Sequence, residues 1–155
     1  MTGRAWIGVL GVAASLALAA LAPGTRAQSG EEIVIVVHGL RADTGLVRGG
    51  IYASADVWTR PGHMVAVCNV PVRAGVARCA MRPPGPGRYA FAFYHDANGN
   101  RQFDRDLVGF PSEGYGFSND VRPGFEVPPF ESAAFTVAAG RRYTARAATQ
   151  YGWNP

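Results

Sequence analysis

Arg88-Tyr89-Ala90-Phe91-Ala92-Phe93-Tyr94-His95 runs directly into Asp96-Ala97-Asn98-Gly99-Asn100-Arg101-Gln102-Phe103-Asp104-Arg105-Asp106. The first half alternates. In an extended chain Tyr89, Phe91, Phe93 and His95 share one face, and Ala90, Ala92 and Tyr94 share the other. Aromatic residues at a period of two mark a strand with a buried face. The second half alternates oxygens: Asp96, Asn98, Asn100 and Asp104 carry short acceptor side chains, with Asp106 just beyond. This is the D-x-[DN]-x-[DN] opening of a calcium loop. Calcium takes six to eight oxygens from carboxylates, amides and main-chain carbonyls. The expected ligands are Asp96, Asn98, Asn100, the main-chain carbonyl of Gln102, and Asp104, with Asp106 or Glu113 adding a carboxylate. Two positions depart from an EF-hand: Arg101 replaces the sixth-position glycine, and Leu107 replaces the twelfth-position glutamate. No helical pattern flanks the loop. The competing account is a solvated turn, because any strand connection uses Asp, Asn and Gly.

Working outward, no segment shows a capped apolar period of 3.6 residues. Short β-branched and aromatic runs alternate with Gly and Pro punctuation instead. Strands are expected over residues 33–39, 50–54, 64–70, 76–81, 88–95, 132–137 and 143–149. About seven strands with turns every 8–12 residues predict an all-β, antiparallel β-sandwich. The apolar run at 33–37 predicts a strand buried on both faces. Residues 96–130 form a connection about three times the ordinary length. Its aromatic content (Phe103, Phe110, Tyr115, Phe117, Phe125, Phe130) is too high for a disordered segment. Either a bound cation or the packing of those rings orders it. Gly114 and Gly116 alternate with Tyr115 and Phe117, which predicts close backbone approach or positive φ at the glycines. Tyr115 and Phe117 then present an aromatic platform for a ligand, or fold under as a local core.

The N-terminus reads as a targeting segment. Arg4 precedes an apolar run from Trp6 to Ala22, and Thr25-Arg26-Ala27 offers a small–x–small cleavage site. Residues 1–27 are therefore expected to be a signal peptide, and 28–155 one domain with its own core. An uncleaved anchor is the alternative, although the run is short for a membrane span. Removing Arg4 and Arg26 lowers the formal charge from +4 to about +2. All fifteen cations are Arg, scattered among acids with no basic stripe, so nucleic-acid binding is not supported.

Export makes a disulfide between Cys68 and Cys79 plausible. A two-residue turn at Arg73-Ala74 would place the two cysteines opposite each other on an antiparallel hairpin, within disulfide range. The bond would close a loop of about a dozen residues and contribute roughly 2–3 kcal/mol on the chain-entropy model. Two structural thiols or a redox pair are the alternatives, without the C-x-x-C spacing that marks the latter.

Three segments carry a family likeness: Gly87-Arg88-Tyr89-Ala90, His95-Asp96-x-Asn98-x-Asn100, and Gly109-Phe110-Pro111-x-Glu113-Gly114-Tyr115-Gly116-Phe117-Ser118-Asn119. Pro128-Pro129-Phe130-Glu131-x-Ala133-Ala134-Phe135 continues it. The chain resembles the bacterial exported proteins grouped as domain of unknown function 2141. The resemblance implies an all-β domain of transthyretin-like or collagen-adhesin B-repeat type, and brings no established reaction.

His95-Asp96 also admits acid–base chemistry, with Ser112, Ser118 or Tyr115 nearby. Neighbouring strand residues face opposite ways, however, so the two side chains need not meet. His38 and His95 could share a transition-metal site if their strands are neighbours. The sequence thus predicts a periplasmic or secreted, non-catalytic, calcium-stabilised module. It would bind a cell-envelope or extracellular ligand, with no membrane span after cleavage. His95, Glu113, Tyr115 and Phe117 are the candidate ligand-binding residues. The runner-up is a hydrolytic enzyme built on His95, Glu113 and Tyr115.

Overall fold

The computed structural model describes residues 30–124 and 126–152. The signal peptide expected at 1–27 lies outside them. Among the described residues, eight strands form two sheets. Strands β1 (Glu32–His38), β4 (Val76–Met81) and β8 (Arg142–Ala148) make a three-stranded sheet in the order β4-β1-β8. Strands β2 (Leu46–Tyr52), β3 (Ala66–Pro71), β5 (Gly87–Asp96), β6 (Gly114–Phe117) and β7 (Ala134–Val137) make a five-stranded one. The result is an all-β sandwich, as expected, with two differences. The β1–β8 pairing is parallel. The eighth strand, β6, lies inside the segment expected to be one long loop over 96–130, because Gly114–Phe117 finds the free edge of β5.

Alternation along the strands builds the core. Ile33, Ile35 and Val37 of β1 meet Val47 and Ile51 of β2 and Tyr89, Phe91 and Phe93 of β5 between the sheets. Val34 and Val36 are only half-buried, so β1 hides one face, not two. Behind the five-stranded sheet lies a second cluster, in which Trp58 packs against Tyr52, Phe117 and Phe130. The Trp58 indole N–H donates to the Pro128 carbonyl at 2.8 Å and pins the returning chain.

One side of β5 pairs with β2 over residues 90–96. The other side is divided: β7 covers residues 87–90 and β6 covers 92–95. Phe91 falls in the gap. The buried Ser118 hydroxyl fills it, accepting from the Phe91 amide at 2.9 Å and donating to the Ala133 carbonyl at 2.6 Å. No main-chain donor is then left orphaned at the handover.

The Cys68–Cys79 disulfide forms, with Cα atoms 5.6 Å apart, but not as a rung of a hairpin. The turn is Ala74-Gly75, both at positive φ, and Arg73–Val76 is its one closing pair. The Asp43 carboxylate accepts from both turn amides. Beyond that pair the strands part: Cys68 lies opposite Gly49 of β2, and Cys79 opposite Ile35 of β1. The hairpin expectation failed because each strand has a longer ladder elsewhere. The disulfide therefore joins the two sheets at one edge. At the other edge Tyr115 and Gln150 exchange two main-chain hydrogen bonds, at 2.9 and 2.7 Å.

Replacing both cysteines by Ala should lower stability by about 2–3 kcal/mol, read as a fall in the urea midpoint. Ser118→Ala should lower it by about 1–3 kcal/mol, because the Phe91 amide then stays buried without an acceptor.

Candidate functional site

Asp96 ends β5 on the outward face and is wholly buried. Its Oδ2 accepts from the Arg48 guanidinium Nε of β2 at 2.5 Å and from the Arg101 amide at 3.1 Å. Its Oδ1 is buried with no hydrogen-bond partner. Burial alone would push this carboxyl's pKa up. The Arg48 hydrogen bond and charge, with the Arg101 amide and, from outside hydrogen-bond geometry, the Gly99 amide, outweigh that and hold it below the usual carboxylate value.

The following residues curl through consecutive side-chain-capped turns. Asn98 Oδ1 accepts from the Asn100 amide at 3.0 Å, and Asn100 Oδ1 from the Gln102 amide at 2.8 Å. The NH2 groups of Asn98 and Asn100 donate to the Asp104 carboxylate. Arg101, which replaces the expected glycine, sits at φ +67, so an arginine takes the left-handed turn that glycine favours. Its amide thereby reaches Asp96.

Residues 104–112 fold into a small hairpin closed by the Arg105–Pro111 bridge and the Ser112 amide on the Asp104 carbonyl. Asp106 caps this turn: its Oδ1 accepts from the Val108 and Phe110 amides. The hairpin returns Glu113 to the loop, where its carboxylate accepts from the Ala97 and Asp104 amides, each at 3.2 Å. Glu113, rather than Asp106, is thus the carboxylate tied to both ends of the loop. Burial pushes the Glu113 pKa up, and the Asp104 and Asp96 charges add to this against the two amides. Among the described residues, no three His, Cys, Asp or Glu side chains form a metal-holding group.

A family model described as an uncharacterized protein conserved in bacteria (DUF2141) matches residues 35–144, from β1 into β8. The chain belongs to the DUF2141 family. No curated protein matches the chain. No solved structure matches it either.

In this DUF2141 protein His95 faces inward, opposite to Asp96, and is 1% exposed. Its Nδ1 lies 2.9 Å from the Tyr151 hydroxyl and its Nε2 2.8 Å from the Thr44 carbonyl, so both ring nitrogens are engaged. Glu113 binds amides, and Tyr115 packs between Phe103 and Phe117. The His95, Glu113 and Tyr115 of the hydrolytic alternative share no hydrogen bond with one another. His38 belongs to the other sheet and bonds Asp120 at 2.9 Å, away from the His95 partners. Neither Gly114 nor Gly116 has positive φ; both face inward and permit close approach. A Cβ at Gly116 would meet the Ala148 carbonyl at 2.2 Å, and one at Gly114 the Tyr151 ring at 2.6 Å. Tyr115 and Phe117 consequently face outward. Phe117 is buried in the cluster around Trp58, and Tyr115 is only half-buried. Arg48 escaped the sequence reading: nothing in its neighbourhood marks it as the partner of a residue far along the chain.

Asp96→Asn should destabilise the protein by about 3 kcal/mol at pH 7, because it leaves the Arg48 charge without its buried partner. A carboxyl whose folded pKa is lowered adds stability above its unfolded value of about 3.9, which is lost as pH falls through the folded value. The urea-midpoint gap between wild type and Asp96→Asn should therefore be widest near neutrality and shrink below about pH 4.

Proposed function

We propose that this protein is an exported, non-catalytic β-sandwich whose Asp/Asn loop is held by calcium, and that it serves as a binding or structural module of the cell envelope. One observation carries the reading: the Asp96 Oδ1, wholly buried and without a partner, at the origin of the loop. An uncompensated buried acceptor costs about 1–3 kcal/mol. A cation contacting that oxygen removes the cost.

Asn98, Asn100, the Gln102 carbonyl and Asp104 follow at the alternate positions a calcium loop uses. The amide oxygens of Asn98 and Asn100 each hold one backbone amide and keep a second lone pair. Coordination by Asp104 competes with the two NH2 groups that its carboxylate now accepts. Glu113 supplies the closing carboxylate. Its raised pKa means that its charge opposes folding as pH rises through the folded value, and a divalent cation relieves that opposition. The left-handed Arg101 meets the backbone requirement that its side chain had put in question. Export is supported by the apolar segment at 6–22 and by the disulfide, which persists in oxidising compartments. Among the described residues, no helix is long and apolar enough to cross a membrane.

Thermal melts in chelator and in millimolar calcium test the reading. At a hundredfold excess over Kd, calcium adds about 2.7 kcal/mol and raises the midpoint by several degrees. Asp104→Ala should keep most of the chelator-state stability but lose the calcium-dependent rise. An unchanged midpoint in calcium, magnesium and manganese alike refutes the proposal.

A further inference from the structure

The outer face of the five-stranded sheet carries a cleft of about 780 Å³. Strand register explains it. Asn69, Arg48, Tyr94 and Tyr115 form one outward row across β3, β2, β5 and β6, and Val67, Gly50, Ala92 and Phe117 form the next. Ala92 is the small side chain of that second row that lines the cleft, and the sheet is hollow over it, whereas the space over Gly50 is taken. Met64 lies over Gly50, where an added Cβ would approach its sulfur to 2.5 Å. The 97–113 segment contributes Arg101, Phe103 and Arg105 to the lining, and Val127 lines it too.

Two properties of the lining define what it fits. Of the seven large hydrophobic residues exposed among the described residues, five (Met64, Val67, Val108, Phe110 and Val127) line this one cleft. Apolar exposure gathered in a concave place marks a ligand site, whereas scattered exposure does not. The charge is one-sided: among the described residues the lining holds Arg48, Arg101 and Arg105 and a single carboxylate, Glu126. Arg48 is neutralised by Asp96. Among the described residues neither Arg101 nor Arg105 has an ion-pair partner. The Arg105 guanidinium lies 5.2 Å above the Phe103 ring and donates to the Gly109 carbonyl, which fixes it at the wall.

We propose that this cleft binds a small amphipathic anion, with an apolar or aromatic body over Ala92 and Val67 and its anionic group between Arg101 and Arg105. The volume lies within the roughly 300–1,000 Å³ range of small-molecule sites. The unpaired guanidinium groups supply the complementary charge. The inference stands on the cleft alone and does not rest on calcium.

Two fluorescent probes of similar shape test it: 8-anilinonaphthalene-1-sulfonate, which is anionic, and N-phenyl-1-naphthylamine, which is neutral. Titrations are run in chelator and in calcium, with near-ultraviolet circular dichroism to establish that each variant is folded. The anionic probe should bind saturably at one site in at least one medium. Replacing Arg101 and Arg105 by Gln should weaken it about tenfold or more while leaving the neutral probe within about threefold. Val67→Asp, on the exposed edge strand, should weaken both probes. Three results overturn the proposal: no saturable binding by the folded protein in either medium, equal loss of both probes in the arginine variant, or a dimer in sedimentation that Val67→Asp dissociates. The calcium reading is judged on the thermal melts, so the two can fail separately.

Discussion

The β5 ladder constrains both faces of the five-stranded sheet at once. Its inward residues Tyr89, Phe91 and Phe93 fill the space between the sheets. Its outward residues do three different things in order. Ala90 supports the cluster around Trp58, Ala92 leaves the hollow, and Asp96 anchors the loop. A slip of one residue would exchange these roles wholesale, burying alanines between the sheets and exposing the rings. The register is held along the whole of β2 on one side and by β7, Ser118 and β6 in succession on the other. Core, cleft and loop are therefore not independent features, because they are successive readings of a single alternation.

The sandwich is also closed at both edges, by unlike means. On one side the chain crosses from β3 to β4 and the disulfide joins the sheets covalently. On the other, Gly114 and Gly116 let the end of β8 come close enough for the Tyr115–Gln150 exchange. Open sheet edges expose unpaired backbone groups and invite association with other chains. Here the open edges are shortened to the parts of the strands beyond these closures.

How much of this was legible in sequence follows from how local each signal is. The strand over 88–95 was readable because alternation is written in consecutive residues, and all seven expected strands appear. The curled Asn turns were readable for the same reason: the Asn98 and Asn100 oxygens each cap an amide two residues ahead. β6 was missed because a four-residue strand with two glycines has almost no intrinsic preference for extension; the free edge of β5 creates it. The disulfide pair was identified correctly on an incorrect geometry. Turn placement differed by one residue, and each cysteine answers to a ladder partner that no local pattern reveals. Arg48 shows the same limit, because a buried carboxylate's partner 48 residues away is chosen by the fold; Glu113 was readable as one of two candidate acids, and the fold ties it, rather than Asp106, to the Ala97 and Asp104 amides. The cleft was legible only in part, through Tyr115 and Phe117, since a hollow depends on the lateral alignment of residues from different strands.

The Ser118 handover has a consequence for how this fold can change. The chain leaves β5 after β6 and rejoins it at β7, and Ser118 closes the gap between the two contact points. The sheet registers where that excursion departs and returns, but not how far it travels. Doubling its length would add only about 0.6 kcal/mol of closure entropy. Residues 121–129 are thus a graft point: one wall of the cleft can be rebuilt, lengthened or exchanged while the ladder beneath it stays in register.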